Sequence, residues 1–277
     1  MAQARGLRGL RNPAVVAAFG GWNDASDAAT GVVDHLVDTY AAELHFAIDP
    51  EDYYDFQVNR PTTRLVDGNR ILEWPTTEVL VASLPTRDLV LIGGPEPNYH
   101  WQQFVAALLS MVRSVQPEIV VLLGSMLTDA PHTRPVPISG TAGTAKLAQE
   151  LGLEVSDYEG PTGIIGVLSA ECDAVGIPVV SLWSSVPHYV AEPPNPKATL
   201  ALLTQLEDVL NLPIDFGDLA EQADEWVKQV NELVSEDPDI TSYISALEER
   251  RDEAAPNGET IAAEFERYLR RRDRRRG

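Results

Sequence analysis

The chain has 277 residues, a net charge of −21 and one cysteine, Cys172. It is long enough to bury a core without staples, and an intrachain disulfide is excluded. Acidity on this scale argues against nucleic acid and anionic membrane as partners. No apolar run approaches the roughly 20 residues of a membrane helix, the basic N-terminal stretch MAQARGLRGLR lacks a signal-peptide core, and a cytoplasmic location is expected.

Residues 14–19 (AVVAAF) form a continuous apolar run ending at Gly20-Gly21, the pattern of a strand covered on both faces of a parallel sheet. A helix over 25–40 follows from Val32, Val33, Leu36, Val37 and Tyr40 sharing one face. Residues 43–48 predict a second strand, and 49–62 an irregular, aromatic excursion. Asp67-Gly68-Asn69 between short apolar segments predicts a β-hairpin. Strands are expected at 79–84 and 88–93, the second again ending on paired glycines. Trp101, Phe104, Val105, Leu108, Leu109 and Val112 fall on one stripe of a helix, with Asn98 placed to cap it. Further strands are predicted at 119–123 and 177–183, and helices at 141–151 and 163–172. Asn195-Pro196 opens a helix running to about residue 210.

Beyond residue 213 the strand pattern stops. Residues 214–277 are acidic and break into about three helices at Asp237-Pro238 and Pro256-Asn257-Gly258. The reading is an α/β domain over 1–213, with a mostly parallel sheet, and an all-helical extension over 214–277. Residues 267–276 hold seven arginines and one aspartate, a like-charge block expected to be a solvated end.

In open parallel sheets ligands bind at the carboxyl ends of the strands. Four polar loops follow such ends, and they gather Asn23, Asp24, Glu96, Asn98, Asp129, His132, Arg134 and His188. Together these could bind a polar or phosphorylated, nucleoside-like small molecule or do acid–base work. Capping of helix starts equally accounts for Asn23, Asp24 and Asn98. Glu96, held between two prolines, has no capping role. Asp129, His132 and Arg134 alternate, so an extended backbone would point them one way, whether toward a ligand or into a structural network. No metal spacing occurs, no cofactor is implied, and Cys172 reads as packing. The stretches 140–144 (GTAGT) and 160–163 (GPTG) would open helices able to hold an anion, although neither matches a nucleotide-binding pattern.

GGWNDASDAA, GGPEPNYHW, DAPHTRPVPISGTA, GPTGIIGVLSAEC and SLWSSVPHYVAEPPNPKATLALL, in that order, resemble the actinobacterial branch of the proteasome assembly chaperone 2 family. The resemblance runs from about Val15 to Leu210. It implies a three-layer αβα sandwich similar in fold to the nucleoside phosphorylases, with a helical extension. It also implies a homo-oligomeric assembly or scaffold protein, a trimer by analogy with the phosphorylases, with proteasome subunits as further partners. The C-terminal hydrophobic–tyrosine docking signal common among those chaperones is not present in RRRDRRRG. Enzymatic activity of hydrolase or phosphorylase type is the alternative, and no catalytic motif identifies it.

Overall fold

The computed structural model describes Leu7 and residues 9–253. The third helix expected in the extension and the arginine-rich run lie outside the described residues. In chain order the elements are β1 (Ala14–Gly20), α1 (Thr30–Thr39), β2 (Glu43–Ala47), β3 (Thr62–Val66), β4 (Asn69–Glu73), β5 (Glu78–Ser83) and β6 (Asp88–Pro95). Then come α2 (Trp101–Val115), β7 (Ile119–Thr128), β8 (Ile138–Ala142), α3 (Ala145–Leu151), β9 (Glu154–Val155) and α4 (Ile164–Ala174). The chain continues through β10 (Val179–Pro187), α5 (Pro196–Leu210), α6 (Leu219–Ser235) and α7 (Pro238–Glu253).

One sheet of eight strands runs β2-β5-β6-β1-β7-β10-β8-β9. Its centre, β6-β1-β7-β10, is parallel, while β5 and β8 join antiparallel. The unbroken apolar runs of the central strands are explained by two cores, one per face. Val16, Ala18, Val121, Leu123, Val180 and Leu182 pack with Val32, Val33 and Leu36 of α1 and Leu202, Leu203 and Leu206 of α5. Their sequence neighbours Val15, Ala17, Phe19, Val120 and Leu122 point the other way, onto Phe104 and Leu108 of α2 and Ile164, Ile165 and Leu168 of α4. The result is a three-layer αβα sandwich. Cys172 is buried in the second core, as its apolar helix suggested.

The C-terminal helices pack onto this sandwich. Leu219 of α6 joins the first core beside Leu212 and Ile214, and α7 buries Ile244 and Leu247.

Several boundaries differ from the sequence reading. The helix predicted from residue 25 begins at Thr30, because Ser26 and Asp27 adopt φ of 54° and 52°, a left-handed conformation no helix tolerates. Strands β7 and β10 run on past their predicted ends, paired from Trp183↔Gly124 to Pro187↔Thr128. Gly124 does not end the strand. A Cβ there would lie 2.5 Å from the Trp183 ring, so the glycine makes room for an indole laid across the sheet. Residues 138–142 form β8 rather than a helix-opening loop, and α3 starts only at Ala145, where the Thr144 side chain accepts from the Leu147 amide. The hairpin forms as predicted: Asp67 and Gly68 both take positive φ, the two-residue turn that matches strand twist. It stands as its own two-stranded sheet, with every residue of both strands exposed.

Candidate functional site

The eight polar residues all lie at or beyond the carboxyl ends of the parallel strands, but they fall into three separate groups.

The first group joins the ends of β1 and β6 to the start of α4. Glu96 is fixed by its own amide, which donates to Gly20 O at 2.8 Å. Its Oε1 accepts from the Asn23 Nδ2 at 2.7 Å and from the Ile164 amide at 2.8 Å. The α4 N-terminus, which GPTG suggested as an anion site, donates its Ile164 amide to the chain's own Glu96 carboxylate. Gly163 is required because a Cβ there would lie 2.1 Å from the fully buried Asn23 side chain. Asp24 Oδ1 accepts from the amides of Ala29 (2.7 Å) and Thr30 (3.2 Å), and its Oδ2 accepts from the Thr30 hydroxyl. This is a capping arrangement displaced to the true start of α1. Ser125 of β7 also donates to Asp24, at 3.3 Å. Burial, opposed by these hydrogen bonds, pushes the Asp24 carboxyl above its ordinary value.

Asn98 forms the second group. It does not cap α2: the residue at the cap is His100, which makes no side-chain capping bond. The Asn98 Oδ1 instead accepts from the Asp55 amide and the Asn59 Nδ2, both at 2.8 Å, and holds the 49–61 excursion against the strand ends.

The third group gathers the loops after β7 and β10 beneath α6 and α7. His132 is 2 % exposed. The Tyr189 hydroxyl accepts from the His132 amide at 2.8 Å and lies 2.8 Å from Nδ1, while Nε2 lies 3.0 Å from Asn231 Oδ1 of α6. An amide oxygen only accepts, so Nε2 carries the proton and Nδ1 receives the tyrosine's. That neutral tautomer fits burial, which lowers the imidazole pKa.

Arg134 reaches α7. Its Nε and Nη2 lie 2.8 and 2.7 Å from the two Asp252 oxygens, and Nη1 is 3.2 Å from Glu248. The pairing depresses the Asp252 carboxyl. Asp129 accepts from the Tyr243 hydroxyl at 3.2 Å and lies 3.4 Å from His188 Nδ1. Lys197 closes the loop from below, donating to the carbonyls of His132 and Arg134. The three alternating residues do not point one way. The backbone turns at 132–133, burying His132 while Asp129 stays exposed.

Sequence reasoning missed the partners Tyr189, Lys197, Asn231, Tyr243, Glu248 and Asp252. Most lie far along the chain, and the one signal they left was the acidity of the extension facing Arg134. The space beside His132 is about 10 Å³, room for one water and no more. The roomier cleft, about 580 Å³, lies between α1 and the base of the hairpin and is lined by none of the eight residues. Among the described residues no set of three or more His, Cys, Asp or Glu is placed to hold a metal ion, and no helix is long and apolar enough to cross a membrane.

Several large apolar side chains are exposed. Trp22 is 76 % exposed, and the hairpin presents Leu65 at 71 % and Leu72 at 59 %, with Val66, Ile71 and Trp74 also exposed.

Comparison with known proteins bears on this geometry. The model of the PAC2 family matches residues 18–234. Among solved structures, a PAC2 family protein from Streptomyces avermitilis is 50% identical, with a TM-score of 0.79, covering 83% of this chain and 99% of that one. A proteasome-assembly chaperone homologue from Mycobacterium tuberculosis is 47% identical, with a TM-score of 0.76 over 83% of this chain and 99% of its own. An archaeal proteasome activator from Pyrococcus furiosus shares the fold alone, at 16% identity and a TM-score of 0.64, covering 81% of this chain and 94% of that one. No curated protein matches the chain.

Proposed function

The chain belongs to the PAC2 family, and from that membership we propose that it is a cytoplasmic, homo-oligomeric assembly protein whose contacts with other proteins are made by the β3–β4 hairpin. One observation carries this reading. A two-stranded ribbon is marginal in water on its own, yet this one exposes aliphatic side chains on both faces. Cross-strand partners share a face, so Val66 and Ile71 lie on one side and Leu65 and Leu72 on the other. Partner surfaces are built of such exposed apolar patches. The polar residues at the strand ends, by contrast, are engaged with one another and with α6 and α7. That supports an assembly role over an enzyme or binder of nucleoside-like molecules at those loops.

The M. tuberculosis neighbour is described as a proteasome-assembly chaperone homologue, so proteasome subunits are the proposed clients, with three copies of this chain as the proposed oligomer. The test is reconstitution: purified proteasome α and β subunits from an actinobacterium, assembled with and without the chain and followed on native gels. Ring formation should accelerate with wild type and not with Leu65→Glu/Leu72→Glu. Unchanged assembly, with no complex formed, would overturn the client assignment.

A further inference from the structure

We propose that the cleft between α1 and the root of the β3–β4 hairpin receives an arginine side chain from the protein partner that the hairpin engages. The inference rests on that reading of the hairpin and adds the chemistry of the partner segment. The cleft measures about 580 Å³, within the range of built ligand sites. Gly93 of β6 lines it without a side chain, and a Cβ there would lie 3.3 Å from Val33 of α1. Trp74-Pro75-Thr76, the link from β4 to β5, forms another part of the wall. Thr62 and Glu73, paired across the two ends of the hairpin, line it as well. The cleft is therefore continuous with the surface proposed to meet other proteins.

The charged lining is Asp34 of α1, Glu78 at the start of β5, Glu73 of β4 and, among the described residues, one cation, Arg60. Glu73 is paired with Arg64. Among the described residues no salt bridge engages Asp34 or Glu78. Partial burial, with repulsion from Asp38, Asp24 and Asp27, holds the Asp34 carboxyl above its ordinary range, so a cation beside it is favoured. Two carboxylates thus stand against one guanidinium, on a chain of net charge −21 that draws basic partner surfaces.

Trp74 selects arginine over a simple ammonium. Its indole is 47 % exposed, lines the cleft and is held edge-on by Phe56, with ring centroids 4.9 Å apart. A guanidinium stacks on such a ring and pairs with carboxylates through its planar fork. Glu78 and Leu80 share a strand face, and Leu80 with Val37 of α1 supplies aliphatic lining for the arginine methylenes. The exposed Arg60 offers its donors to main-chain carbonyls of the same segment. The partner segment is therefore apolar where it meets the hairpin and arginine-bearing where it enters the cleft.

Isothermal titration of the full chain with two short capped peptides tests it, one with arginine at its centre and one with citrulline, the neutral isostere. At low salt the arginine peptide should bind roughly tenfold tighter, the margin of a charge-assisted pairing. High salt or Asp34→Asn/Glu78→Gln should remove that preference, and Trp74→Leu should weaken the arginine peptide independently. Asp34 and Glu78 are exposed, so these variants retain the sandwich. Leu65→Glu/Leu72→Glu should bind the peptide as wild type does, because neither residue lines the cleft. Equal binding of the two peptides to wild type, or no binding of either, would overturn the inference, whether or not the hairpin variant loses ring assembly. An arginine preference that survives Asp34→Asn/Glu78→Gln would overturn it too, by placing the contact elsewhere. An intact arginine preference with ring assembly unaltered in the hairpin variant would overturn the hairpin reading, and with it the partner assigned to the cleft.

Discussion

Glu96 illustrates how one loop carboxylate can organise a sheet edge. It accepts from the amide of Ile164 at a helix start and from the Nδ2 of the buried Asn23 at once. Glu96→Ala leaves both donors without their acceptor and should lower unfolding free energy by about 1–3 kcal/mol. Glu96→Gln keeps an acceptor oxygen and should cost less, mainly the helix-dipole contribution of about 0.3–1 kcal/mol. Urea denaturation of the two variants distinguishes them. His132 makes a pH prediction. Its pKa is lowered in the folded protein by burial, so the unfolded chain takes up the proton first. Its contribution is complete above the ordinary imidazole value of about 6.5 and is lost as pH falls through the lower folded value. Asp24, with a raised pKa, acts in the opposite sense, so the readout is a difference. The fall in urea midpoint from pH 7 to pH 5.5 should be larger in wild type than in His132→Gln. Equal falls would mean that His132 does not titrate in that window.

At the level of elements, α7 is a clasp held by few apolar contacts. Ile244 and Leu247 are its buried side chains, and Arg134 binds its C-terminal half through Glu248 and Asp252. Such solvent-exposed pairs are screened and contribute little to global stability. Arg134→Ala should therefore leave the global melting transition nearly unchanged while speeding hydrogen exchange in residues 238–253 several-fold. Unaltered exchange there would show that the pairs hold nothing. Elements with strong internal periodicity were legible in the sequence. The α2 stripe and the unbroken β1 run needed no tertiary information, because burial on one or two faces is written into residue order. Strand β8 was not legible: ISGTA looks like a loop until β10 pairs with it. The start of α1 was hidden by the left-handed residues Ser26 and Asp27. The site residues were legible as a set of strand-end loops, whereas their partners were not. Contacts such as Arg134 with Asp252 join positions with no local pattern linking them.

For the whole molecule, the geometry separates a polar edge that is closed by its own C-terminal helices from an apolar hairpin that stands open. The described polar residues join loops and helices, and the hairpin is the proposed surface for other proteins. If it also joins copies of this chain, removing its aliphatic groups should dissociate the oligomer without unfolding the sandwich, since every strand residue of the hairpin is exposed. Static light scattering on the purified protein tests this most directly. The wild type should give a multiple of the 30.3 kDa chain mass, with a trimer proposed, and Leu65→Glu/Leu72→Glu should fall to the mass of one chain with an unchanged circular dichroism spectrum. A wild-type mass near 30.3 kDa, or an oligomer untouched by the double substitution, would contradict the account.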